Sequence, residues 1–162
     1  MDIKKNWKII RRHVTASFKT SLHVSIATVS KDNTPLVTSI GTLFLNKDQT
    51  GFYFEKFSSK LTSNVEVNNQ VCVLAVNSSR WFWIKSLYKN KFEKHPALKL
   101  YGELGLQRKA SDQELSRLER RMKLLKGLKG HTYLWGKGMD TVREIRFNKV
   151  EKMKLGIMTA EL

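Results

Sequence analysis

A mainly β domain, with an antiparallel sheet folded into a small meander or barrel and helices at its flanks, is the fold class this chain predicts. Three observations carry it. The strand-like runs LHVSIATV, LVTSIGTLFL, GFYFEKF and QVCVLAVN crowd into residues 22 to 77, rich in β-branched and aromatic residues. The links SKDNTP and NKDQTG supply Asp, Asn, Pro and Gly and are short enough for antiparallel hairpins. Helical periodicity is confined to the segments around these strands.

In the opening segment Ile3, Trp7, Ile10, Val14 and Phe18 recur at helical spacing with Lys and Arg on the other faces, which predicts an amphipathic helix lying on the body of the domain. Along the second strand Leu36, Thr38, Ile40, Thr42 and Phe44 alternate with Val37, Ser39, Gly41, Leu43 and Leu45. Small hydroxyls in an otherwise apolar strand leave room for a ligand. Between Ser59 and Asn69 the pattern changes to one or two helical turns, with Leu61 and Val65 one turn apart. A helix entered from SSK presents free N–H groups and a positive dipole end beside Lys60, which suits an anion. Plain capping by Ser58 or Ser59 is the alternative.

Residues 80 to 95 interleave Trp81, Phe82, Trp83, Tyr88 and Phe92 with Lys and Arg. Two readings stand: stacking on a planar ring or on unpaired bases, or an extended strand and an apolar cover. ALKLYGELGL resumes the alternation, and its Gly102 and Gly105 mark bends or a close backbone approach. SDQELSRLERRMKLLKG is a helix, because Ser111 and Glu114 form a capping box and Leu115, Leu118, Met122 and Leu125 a stripe. GLKGHTYLWGKGM reads as a flexible connection containing Trp135, and TVREIRFNKVEKMKLG as one or two last strands.

At 162 residues, 41% of them apolar, residues 1–162 make one domain with a core of its own. No apolar run approaches the roughly 18 residues of a membrane span, and MDIKKNWKIIRRH is cationic without a continuous apolar stretch. A soluble cytoplasmic protein without a membrane partner is the expectation. The lone Cys72, inside VCVLAV, is expected to be a small core residue. Thirty Lys and Arg against 14 Asp and Glu give a net charge of +16, which attracts polyanions at low salt. The cations are dispersed, so nucleic acid is the lesser reading. His13, His23, His95 and His131 lie far apart with no ligand-pair spacing, so no metal is expected. G-x-S-x-G, Walker and G-x-G-x-x-G motifs do not occur. Any catalysis would therefore lean on a cofactor.

The order of these parts resembles the pyridoxamine 5'-phosphate oxidase-like family, the FMN-binding split barrels. TPLVTSIGTLF and GFYFEKF form the strand pair, SSK at 58 to 60 the phosphate element, LTSNVEV the short helix, NNQ the turn and VCVLAV the next strand. The resemblance covers roughly residues 15 to 107. It implies a six- to seven-stranded antiparallel split β-barrel that binds FMN non-covalently, a homodimer with the flavin between subunits, and oxidoreductase chemistry by hydride transfer. Carried over by position, it implies that Val37, Thr38, Ser39 and Ile40 line the flavin, and that Phe54 and Glu55 sit near its ribityl or phosphate end. Ser59 and Lys60 would hold the phosphate, and Asn64 would approach it from the helix. Trp81 to Trp83, or Trp135, would close the groove from the partner chain. The oxidase itself has an arginine and a lysine flanking the strand that here reads PLVTSI, and this chain has neither; pyridoxamine phosphate is not the expected substrate. Two rivals follow: a split barrel that binds haem through His23, His95 or His131, or binds a deazaflavin, and a nucleic-acid module built on residues 80 to 95.

Overall fold

The computed structural model describes residues 1–57, 59–135 and 138–162, without the side chains of Ser59 and Leu124. Helix α1 (Ile3–Ser21) starts at Asp2, whose carboxylate accepts from the Lys5 N–H at 2.8 Å, and ends at Leu22 in the left-handed region. It buries Trp7, Ile10, Val14 and Phe18, the stripe its spacing predicts. Strands β1 (Val24–Val29), β2 (Pro35–Ile40), β3 (Phe44–Leu45) and β4 (Thr50–Phe54) follow, then α2 (Ser59–Val67), β5 (Gln70–Val76) and α3 (Arg80–Tyr88). The long strand β6 (Ala97–Lys109), α4 (Asp112–Met122), α5 (Lys129–Trp135) and β7 (Thr141–Lys152) complete the chain.

All strand pairs are antiparallel, in the order β2-β1-β5-β6-β7-β4-β3. The two edge strands are β2 and β3, and only residues 41 to 43 separate them along the chain. A seven-stranded sheet whose two ends lie that close must curl, so the sheet is a split barrel. A Cβ on Gly102 would run into the Arg146 carbonyl oxygen, and opposite the Tyr101–Gly102 step β7 has one extra residue, Asn148, a bulge. This is the close approach the glycine predicts.

The main core joins α1 to the barrel interior through Trp7, Ile10, Ile26, Tyr53, Val73 and Leu100. A second cluster packs Leu118 and Met122 of α4 against Phe44, Phe52 and Phe54. Strand β4 is therefore covered on both faces, which is why GFYF reads as a continuous apolar run. The Ser111–Glu114 capping box forms as its spacing predicts. No helix among the described residues is long and apolar enough to cross a membrane.

Four expectations need correcting. LVTSIGTLFL is two strands, because the chain turns the barrel corner at Gly41–Leu43, where the Thr42 hydroxyl accepts from Phe54 N–H and donates to its carbonyl at 3.2 Å. Trp81 to Ile84 belong to helix α3, capped by Ser79, and do not extend a strand. The connection after α4 contains helix α5. Cys72 is half-exposed, since period two sends Val71, Val73 and Ala75 inward and Cys72 to the other face.

Candidate functional site

The corner between β2 and β4 forms a cleft of about 200 Å³ in which Thr38, Ser39, Ile40 and Phe54 meet. Gly41, Thr42, Lys56 and Phe57 complete one wall, and Leu134, Trp135 and Met139 form the other. Because β2 is an edge, its outward N–H and C=O groups have no strand partner among the described residues. In an antiparallel ladder adjacent residues point these groups to opposite sides. One of Ser39 and Ile40 therefore presents its N–H away from β1. Lys56 closes one end: its ammonium donates to the Tyr133 carbonyl at 2.8 Å and lies 5.0 Å from the Phe57 ring, which stacks on Tyr133.

The other positions implied by the resemblance go elsewhere. Val37 is 65% exposed on the outer face of β2. Lys60 is exposed in the first turn of α2, while Ser58 and the side chain of Ser59 lie outside the described residues. Asn64 is buried and donates to the Thr28 hydroxyl at 3.1 Å, tying α2 to β1. Glu55 shares the face of Tyr53 by the period of two and turns inward. Its carboxylate accepts from Arg143 Nε at 3.1 and 3.2 Å, from Tyr53 Oη at 3.0 Å and from Thr62 Oγ1 at 2.7 Å. Burial, and then the neighbouring Glu55 charge, push the Tyr53 phenol far above its ordinary pKa.

Trp135 lines the cleft of its own chain. The resemblance had brought it to the groove from the partner chain, whereas Leu134, Met139 and Lys56 were absent from the residues the sequence singled out for this site. No local pattern marks Leu134 or Met139, which reach β2 only through the tertiary fold. A trace of the signal was legible only in Trp135 itself, a large aromatic in an otherwise polar connection.

A larger groove of about 700 Å³ adjoins this cleft and shares Gly41 and Trp135 with it. Phe18, Leu22, Phe44 and Leu125 line its apolar surface, and Arg117, Arg120 and Arg121 its cationic one. Arg121 donates to the Leu43 carbonyl at 2.7 Å, and its guanidinium lies 3.6 Å from the centre of the Phe44 ring. Burial, and then repulsion from Arg117, lower the Arg121 pKa to about 10, which leaves it charged at neutral pH. Among the described residues neither Arg117 nor Arg121 has a carboxylate partner. Beside the groove, the His131 ring lies 5.8 Å from that of Trp135, and its buried Nε2 has no hydrogen-bond partner among the described residues.

No family model matches the chain, and no curated protein matches it in sequence. Solved structures match in fold. An FMN-binding protein of Syntrophomonas wolfei is 14% identical, over 94% of this chain and 95% of its own, with a TM-score of 0.58. A Clostridium acetobutylicum protein of the pyridoxine phosphate oxidase family, related to general stress protein 26, is 15% identical over 93% and 89%, with a TM-score of 0.54. The haem storage protein HutZ of Vibrio cholerae is 12% identical over 94% and 95%, with a TM-score of 0.53. The seven-stranded barrel with flanking helices is thus the split-barrel fold, and these similarities are ones of fold.

Proposed function

We propose that this chain binds FMN non-covalently in the β2–β4 cleft, as one half of a homodimer, and acts as an oxidoreductase. The observation that carries this reading is the meeting of Thr38, Ser39, Ile40 and Phe54 with a lysine at one end. The donor set fits the group. Hydroxyls and an edge-strand N–H suit the rim of a flavin ring, Phe54 and Trp135 suit its faces, and Lys56 supplies positive charge for a phosphate.

When bound, FMN supplies hydride transfer at its ring N5. The residues of this chain orient and shield it. Thr38 and Ser39 fix the ring by hydrogen bonds, Ile40 and Met139 keep water from it, and the N–H of Ser39 or Ile40 directs a positive dipole at it. The cleft of about 200 Å³ is smaller than the roughly 300–1,000 Å³ of whole-ligand pockets. A second copy completing the site accounts for the difference, and the exposed Val37 and Phe57 beside it give that copy apolar surface to cover.

The test is an absorbance spectrum of the purified protein after mixing with FMN and gel filtration, followed by FMN titration of Thr38→Ala, Ser39→Ala and Lys56→Ala. Retained flavin bands are expected. Lys56→Ala should weaken binding by about tenfold or more, as expected for loss of a charge-assisted hydrogen bond. Undiminished affinity in all three variants removes the assignment. A second reading, haem, is favoured by one observation, the unpartnered Nε2 of His131 beside the Arg-lined groove. The same spectrum decides it: a Soret band on reconstitution, lost in His131→Ala, replaces FMN with haem.

A further inference from the structure

Helix α3 is apolar on two opposite sides. Its inner face is anchored: Phe82 and Trp83 pack on Phe92 with ring centres 5.5 and 5.2 Å apart, and Trp83 Nε1 donates to the Asn77 carbonyl at 2.7 Å. Its outer face carries Trp81, Ile84 and Tyr88 at i, i+3 and i+7, with Leu87 beside them, and all four are exposed, Trp81 at 80% and Tyr88 at 91%. A surface helix ordinarily turns polar residues outward. Four contiguous large apolar side chains held out by a rigidly seated helix mark a contact surface.

The rim of that surface is cationic. Residues 80–94 hold five cations, Arg80, Lys85, Lys89, Lys91 and Lys94, against one carboxylate, Glu93. Next to the stripe is a pocket of about 160 Å³, lined by Lys85, Lys89, Lys91, Lys94, Glu93 and the ring of Phe82. Glu93 accepts from Lys85 at 3.0 Å and Lys89 at 2.6 Å, and Lys91 reaches Glu161 only at 3.4 Å. Lys94 has no ion pair among the described residues. The pocket thus keeps a net positive charge beside an apolar patch.

We propose that α3 docks this protein on an anionic lipid surface, with Trp81, Ile84, Leu87 and Tyr88 entering the headgroup boundary and the lysine pocket facing lipid phosphates. Trp and Tyr favour that boundary, and a short helix lying in its plane needs only one apolar face and flanking cations. The +16 charge of the chain adds long-range attraction to such a surface. Charge complementarity decides against a second copy, which would bring the same cationic rim against this one. Ile84 and Leu87 interrupt the exposed aromatics and provide no stacking face, which decides against unpaired bases.

The experiment is co-sedimentation of the full chain with phosphatidylcholine vesicles containing one quarter phosphatidylglycerol, and with pure phosphatidylcholine vesicles. Binding to the anionic vesicles is expected, at least tenfold weaker to neutral ones and strongly reduced in 0.5 M salt. Trp81→Ser with Tyr88→Ser should lower it at least tenfold, with an unchanged melting temperature because both side chains lie on the surface. Lys91→Gln with Lys94→Gln should lower the preference for anionic lipid. The proposal falls if the anionic vesicles are not bound, or are bound equally well by the Trp81/Tyr88 variant. It also falls if that variant loses self-association or oligonucleotide binding while vesicle binding stays the same.

Discussion

Arg143 and Arg121 sit on opposite sides of the same barrel wall and are held in different ways. Arg143 is sealed in: its guanidinium pairs with Glu55 and donates through Nη1 to the Gly105 carbonyl at 2.9 Å. Arg121 lies along an open groove, bonded to backbone carbonyls and stacked between Phe44 and Phe18, with no carboxylate partner among the described residues. In the first arrangement charge is neutralised within the fold. In the second it stays available to whatever enters the groove. Position in a split barrel therefore decides whether a charged side chain is structural or accessible, and residue type alone does not.

The largest effect is expected where the charge is sealed. Arg143→Ala leaves the Glu55 carboxylate buried beside Tyr53 and should cost about 3–5 kcal/mol of stability, read as a fall in denaturation midpoint. Replacing both partners, Glu55→Leu with Arg143→Leu, should recover most of that loss, because the desolvation penalty disappears with the second charge. A double variant no more stable than Arg143→Ala would show that the hydrogen bonds to Tyr53, Thr62 and Gly105, and not charge balance, hold this wall.

Glu55 also shows how far the sequence could be read. The family resemblance made it a candidate for the cofactor site, and its strand and its neighbours were legible from the sequence, because hairpins rest on local turn chemistry. Its partner is 88 residues away in TVREIRF, and nothing in either segment announces the pairing. The same limit hid Lys56, Leu134 and Met139 in the cleft, which α5 completes from the far end of the chain. Thr38, Ser39, Ile40 and Phe54 were named together only through the family resemblance. Alternation alone puts Thr38 and Ile40 on one face of β2 and Ser39 on the other, and GFYF by itself reads only as a buried strand.

A smaller effect is expected at the groove. Arg121→Ala removes its bond to the Leu43 carbonyl and the contacts with two rings, at a cost of about 1–3 kcal/mol. It leaves no buried countercharge behind, so the loss should stay clearly below that of Arg143→Ala in the same measurement. Equal losses would break the comparison and assign Arg121 to the fold, as the clamp of the β2–β3 corner.

The smallest effect sharpens the contrast by using a cation that can shed its proton. His13 on α1 sits 3.0 Å from the Ala75 carbonyl, and burial lowers its pKa, opposed in part by that hydrogen bond. Burial also lowers the pKa of His95, and Lys152 adds to the shift. Burial disfavours the charged form of Arg121 in the same way, yet at about 10 its pKa remains too high for it to neutralise. For a histidine with a depressed folded pKa, the unfolded chain binds more protons below about pH 6.5. The stabilisation is full above that value and is lost as pH falls toward the folded pKa. Between pH 7 and 5 stability should therefore decline, each histidine contributing at most about 1.4 kcal/mol per pH unit. His13→Gln, whose amide can still donate to Ala75, should flatten that decline in urea melts across the range. An unchanged slope would place the acid sensitivity in His95 and leave the seat of α1 on β5 indifferent to pH.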